Sequence, residues 1–116
     1  MDLVSAWHAA SASVLPDGTA VWDAHTHAGS NDPDGVVGTV PRLLEKLDEA
    51  GHTGAVLMSS MEPDGYPVAN DRILKEASNS SGRLSPFLRV NPNRGSEAVA
   101  EAERCLSLGA RGIKMH

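Results

Sequence analysis

Apolar positions along this chain change their period several times, and each change marks an element. From Asp2 to Ser13, Leu3, Val4, Trp7 and Ala10 fall on one side of a short helix. Leu15-Pro16-Asp17-Gly18 ends it in a turn. A strand follows over about Ala20 to Ala24, then a loop from Gly29 to Gly38 punctuated by Asp32-Pro33 and Asp34-Gly35. Thr39 is placed to cap a helix with Pro41 in its first turn, where a missing N–H does no harm. Leu43, Leu44, Leu47 and Ala50 repeat at helical spacing, and Gly51 closes that helix.

The rhythm then repeats. T-G-A-V-L-M-S-S from Thr53 is a short apolar strand, and M-E-P-D-G-Y-P from Met61 a loop. A helix over Ala69–Ser78 should bury Ile73, Leu74 and Ala77. L-S-P-F-L-R-V-N from Leu84 is the next strand, ended by the turn N-P-N-R-G. Ser96 should cap a third helix that presents Val99, Ala102 and Leu106 and leaves at Gly109. R-G-I-K-M-H, ending at His116, is the last strand.

The order β-α-β-α-β-α-β, with a repeat of roughly thirty residues, is that of βαβ units. It predicts an α/β fold with a parallel sheet covered by helices, strand order 1-2-3-4 and right-handed crossovers. The leading helix should pack over one end. No linker divides the chain, so residues 1–116 form one domain.

Against that pattern one stretch is anomalous. V-W-D-A-H-T-H-A-G-S, from Val21, spends an aspartate and two histidines on a buried strand. Strict alternation would place Asp23, His25 and His27 on one face, with Trp22, Ala24 and Thr26 on the other. Sites in parallel folds form at the C-terminal strand edges, which here carry His25 and His27, Ser59 and Ser60, Arg89 and Asn91, and Lys114 and His116. Two imidazoles one residue apart on a strand can converge on one ion, and a catalytic zinc keeps three protein ligands and an open position for water. Such an ion lowers the pKa of its water to about 7. A bare H-x-H is weak evidence alone; its place at a strand edge in a β/α repeat strengthens it. Asp23 lies deeper and reads as a supporting group.

Other candidates are softer. Arg89 offers a planar fork of donors to a substrate carboxylate, or an ordinary ion pair. Ser59 and Ser60 have no neighbouring base, and His8 and His52 read as surface residues. The glycine-containing loop after His27 lacks the spacing that cradles phosphates.

Composition narrows the function classes. The chain has 116 residues, 41% of them hydrophobic, enough for a packed core. Its net charge of -5, with no Lys/Arg cluster, argues against nucleic acid as a partner. No apolar run approaches the ~20 residues that span a bilayer, so no membrane partner is expected. The N-terminus has no basic segment leading an apolar core, so no secretory signal is expected. The lone Cys105 suits a reducing cytoplasm and reads as a packed thiol.

D-A-H-T-H at strand one and G-I-K-M-H at strand four, with A-G-H-T-G-A-V-L and L-S-P-F-L-R-V-N-P between them, resemble the amidohydrolase-related metal-dependent hydrolases. Within that superfamily the chain is most similar to the branch that includes aminocarboxymuconate-semialdehyde decarboxylase. The resemblance runs from Val21 to His116 and implies a (β/α)8 barrel of the TIM type. It implies one or two divalent metals, zinc first, with manganese or iron as alternatives. It implies a small-molecule substrate, either an amide or ester that is hydrolysed or a carboxylic acid that is decarboxylated without redox chemistry. By position, His25 and His27 match the first pair of metal ligands, and His116 a histidine beside substrate. Lys114 sits where some members, urease among them, hold a carbamylated lysine; in a mononuclear site it is an interior lysine.

A complete barrel takes ~250 residues, so this chain would supply strands one to four, and truncation is the expectation. The alternative is association of four-stranded halves through exposed first and fourth strand edges. A histidinol-phosphatase-type phosphoesterase shares D-x-H-x-H, but it would need ligands where this chain has Met58, Ser59 and Ser60. A non-catalytic fragment is the remaining reading.

Overall fold

Each of the first three strands of this chain leads into a helix that folds back over the sheet's apolar side. The structure, a computed structural model, describes residues 2–62 and 65–115, without the side chain of Val4. The order is α1 (Leu3–Val14), β1 (Trp22–Ala28), α2 (Val40–Glu49), β2 (Gly54–Ser59), α3 (Pro67–Ser78), β3 (Leu84–Arg89), a 3-10 turn (Pro92–Arg94), α4 (Ser96–Ser107) and β4 (Gly112–Lys114). The four strands form one sheet in the order β1-β2-β3-β4, every neighbouring pair parallel. The fold is therefore α/β, a parallel sheet alternating with helices.

One sheet face is apolar. Ala28, Ala55, Leu57 and Leu84 pack against Val40 and Leu47 of α2 and Ile73 and Ala77 of α3. Leu88 continues that face against Cys105 and Ala110, with Leu74 and Ala102 beside them. The other face carries His27 in register with Met58, and Arg89 in register with Lys114. Gly112 stands in register with Phe87, whose ring occupies the space that a Cβ on Gly112 would need. That is how Phe87 and Arg89 share one face without excluding Lys114.

Several local expectations are corrected. Strand β1 runs to Ala28, so both histidines lie within it rather than at its exit. Helix α3 starts at Pro67, two residues before the predicted Ala69. Thr39 is the N-cap of α2, but its side chain makes no capping bond; its carbonyl accepts from the N–H of Leu43 at 3.0 Å. Ser96 lies inside α4, and Gly95, with φ of 54°, takes the cap position. Val99 and Leu106 are exposed, while Cys105 is fully buried. The cause is polar: Glu101 and Arg104 turn toward Asn70 and Asp71 of α3, which rolls Val99 and Leu106 outward.

The leading helix also departs from expectation. Asp2 caps it, accepting from the N–H of Ser5 at 3.0 Å. Its Leu3 and Trp7, 86% and 73% exposed, do not pack on the sheet. His8 reaches the carbonyl of Ala50 at the end of α2. Among the described residues no helix is long and apolar enough to cross a membrane.

Candidate metal centre

A fault in the β1–β2 ladder sets the histidines. Asp23 is in register with Ala55 and Thr26 with Leu57, so three steps along β1 answer two along β2. This is a bulge, uncommon in parallel pairing, and bulges re-aim side chains. The strict alternation expected from sequence is therefore broken. Trp22, not Asp23, stands beside Gly54, with its ring where a Cβ on that glycine would sit. Asp23 does not share the histidine face; its Oδ1 accepts from the N–H of His25 at 2.9 Å and stabilises the bulge.

Beyond the bulge the two imidazoles converge. Their Nε2 atoms are 3.0 Å apart, with ring centroids separated by 4.9 Å and planes inclined by 57°. Nδ1 of His27 lies 3.0 Å from the carbonyl oxygen of Ser59. A carbonyl only accepts, so this bond requires the proton on Nδ1 and leaves Nε2 with a free lone pair. That lone pair faces Nε2 of His25.

The spacing also fits an ion. Two nitrogens bound to one zinc at ~2.0–2.1 Å are about 3.3 Å apart at a tetrahedral angle and about 2.9 Å at a right angle. The 3.0 Å separation lies inside that range. Nζ of Lys114 is 3.4 Å from Nε2 of His25. Chiefly this ammonium, then desolvation and His27, holds the His25 pKa below its ordinary value, against a weaker opposing pull from Asp23. A lowered imidazole pKa favours the neutral form that binds metals. Among the described residues no group of three His, Cys, Asp or Glu side chains converges on one point. The fit is that of half a site. His116 lies outside the described residues.

Arg89 is the deepest charge here, only 4% exposed. Its Nη1 donates to the Ser59 carbonyl at 3.1 Å, and its guanidinium carbon lies 5.3 Å from the Tyr66 ring centroid. Its main chain is held by Asn70, whose Oδ1 accepts from the Arg89 N–H and whose Nδ2 donates to the Arg89 carbonyl, both at 2.9 Å. Asn70 was not singled out from sequence. Its signal was an asparagine at helical spacing from Ile73 and Ala77, on the apolar stripe of α3 and 1% exposed.

Behind it, Glu101 accepts from Asn70 at 2.9 Å and from Arg104 at 2.8 and 2.9 Å. The bond from Arg104, aided by those from Asn70 and Cys105 and opposed by burial, holds the Glu101 carboxyl down to about 2. Burial and then Glu101 push the Cys105 thiol up to about 12, so it stays protonated and packed.

A cavity of about 220 Å³ is lined by His25, His27, Asp32, Ser60, Arg89 and Lys114, among others. A larger hollow of about 740 Å³ is also lined by Arg89 and Asp32, with Tyr66 and Glu97. By sequence Asp32 is a loop residue only. Ser60 abuts Gly29, while the buried Ser59 hydroxyl has no hydrogen-bond partner among the described residues. Asn91, grouped with the edge residues from sequence, instead accepts from the N–H of Asn93 and shapes the turn.

No family model matches this chain, and no curated protein or solved structure matches it either.

Proposed function

We propose that the chain forms the first four strands, with the three helices between them, of a (β/α)8 barrel in a metal-dependent hydrolase of the amidohydrolase-related kind. The supporting observation is the 3.0 Å approach of the His25 and His27 Nε2 atoms on one strand, with Nδ1 of His27 bonded away to Ser59. His25 and His27 would hold a divalent ion, zinc first, with further ligands from outside the described residues. Such an ion supplies a water acidic enough to lose its proton near pH 7, for attack on a small amide or ester. Lys114 favours the neutral form of His25 and lines the same cavity. Carbamylated, it would become an anionic ligand to a second ion; uncarbamylated, it stays an interior cation.

Arg89 and His116 are the proposed substrate contacts. The buried guanidinium of Arg89, lining the same cavity as both histidines, favours a second reading: decarboxylation of a small carboxylic acid held by that fork. The test is calorimetric zinc titration at pH 7.5 of the wild-type chain and His25→Ala/His27→Ala. The double variant should lose the wild-type binding heat. Equal zinc uptake by both would remove this reading.

A further inference from the structure

The ladder between β2 and β3 ends at Leu57 and Pro86, so beyond it Arg89 has no register partner on β2. Buried main-chain groups left there without partners would be destabilising. Asn70 meets both groups of Arg89 from the helix above, the amide oxygen taking the N–H and the amide nitrogen serving the carbonyl. One side chain thus replaces a strand neighbour at the single residue whose guanidinium crosses the gap. That guanidinium then donates at 3.1 Å to Ser59, the same carbonyl that His27 Nδ1 bonds at 3.0 Å. A carbonyl oxygen has two lone pairs, so these two donors occupy both.

We infer that Asn70 is a positioning residue whose grip on the Arg89 main chain sets the Ser59 carbonyl and, through it, the tautomer and aim of His27. Arg89 acts as the brace: buried, stacked over Tyr66 and fixed at its backbone, it prevents the end of β2 from turning its carbonyl away. His27 is thereby left with the proton on Nδ1 and its Nε2 lone pair toward His25. Free imidazoles exchange between two tautomers; this one is held in one. The inference deepens the metal reading, on which its functional meaning rests, yet it concerns the ring before any ion binds.

The experiment reads ring nitrogen shifts by 15N NMR at pH 8, with chelator present, in wild type, Asn70→Asp and Arg89→Met. Wild type should show His27 protonated at Nδ1 and bare at Nε2. Asn70→Asp keeps the acceptor for the Arg89 N–H and removes the donor to its carbonyl. Arg89→Met keeps the Asn70 grip and removes the brace. Both should lose the single-tautomer pattern of His27 while the amide spectrum of the core stays native. A merely structural Asn70 would lower the melting temperature and leave the His27 pattern untouched, which would overturn the inference. If Asn70→Asp does not fold, Arg89→Met decides: an unchanged His27 tautomer there overturns it equally. A flat zinc titration beside a pinned His27 would remove the metal reading and leave this inference standing.

Discussion

His27 and Arg89, on strands that are not neighbours, donate to the same carbonyl oxygen of Ser59, at 3.0 and 3.1 Å. That shared acceptor joins β1 to β3 across the end of β2. It also explains why a buried arginine is tolerated: the charge is hydrogen-bonded and faces an aromatic ring, as a desolvated cation requires. The centre is therefore built from the sheet outward, with its polar supports on the helix side.

The Glu101 network gives a pH dependence with a definite sign. Its carboxyl is held at about 2 in the fold against an ordinary 4.5. The unfolded chain binds the proton more readily, so the stabilisation is present above pH 4.5 and is lost as pH falls toward 2. Urea unfolding between pH 7 and pH 3 should show this loss in wild type, on the order of 2 kcal/mol. Glu101→Gln should be less stable at pH 7 and show a shallower acid slope. An identical slope in both proteins would contradict the account.

Gly38 closes the loop that follows β1. It bridges to Gly29, with bonds of 3.0 and 2.9 Å, and a Cβ there would lie 2.7 Å from the carbonyl oxygen of His27. Backbone must move to admit it. Gly38→Ala should cost about 1–3 kcal/mol in chemical denaturation. It should also broaden the His27 ring signals, since the strain falls on that residue. A variant as stable as wild type would show that the loop neck yields freely.

The packing of α4 on β3 makes a sharper test, because pattern and structure disagree there. Leu106 was expected in the core and is 45% exposed, whereas Leu88 beneath the helix is 1% exposed. Leu88→Ala should cost about 2–5 kcal/mol and Leu106→Ala about 0.5 kcal/mol. Comparable losses from the two would mean that α4 is rolled the other way.

The element order and the parallel sheet were legible because apolar runs alternate with helical periodicity, and that pattern carries the fold class. What periodicity does not carry is where alternation fails. The extra step between Asp23 and Thr26 exchanges the faces of Trp22 and Asp23, and residue types gave no sign of it. Of the two expected caps, Thr39 does stand at the N-cap of α2, though without a side-chain bond, whereas Ser96 gives way to Gly95, whose backbone supplies the turn with a positive φ. His25, His27 and Arg89 stand out in the sequence as candidates because charge-capable residues in apolar strands are costly unless used or paired. Asn70 does not, since its value lies in two main-chain groups on a strand nineteen residues away. Hydrogen bonds to backbone at that range leave no mark on a pattern of side chains.

The Nε2 atoms of His25 and His27, 3.0 Å apart, are proposed to take one ion between them. X-ray absorption at the zinc edge of the zinc-loaded chain counts imidazoles around the metal directly. Two imidazole nitrogens per zinc at ~2.0–2.1 Å are expected, falling to one in His25→Ala and in His27→Ala. A zinc environment without imidazole scattering, or one unchanged in the two variants, would contradict this proposal.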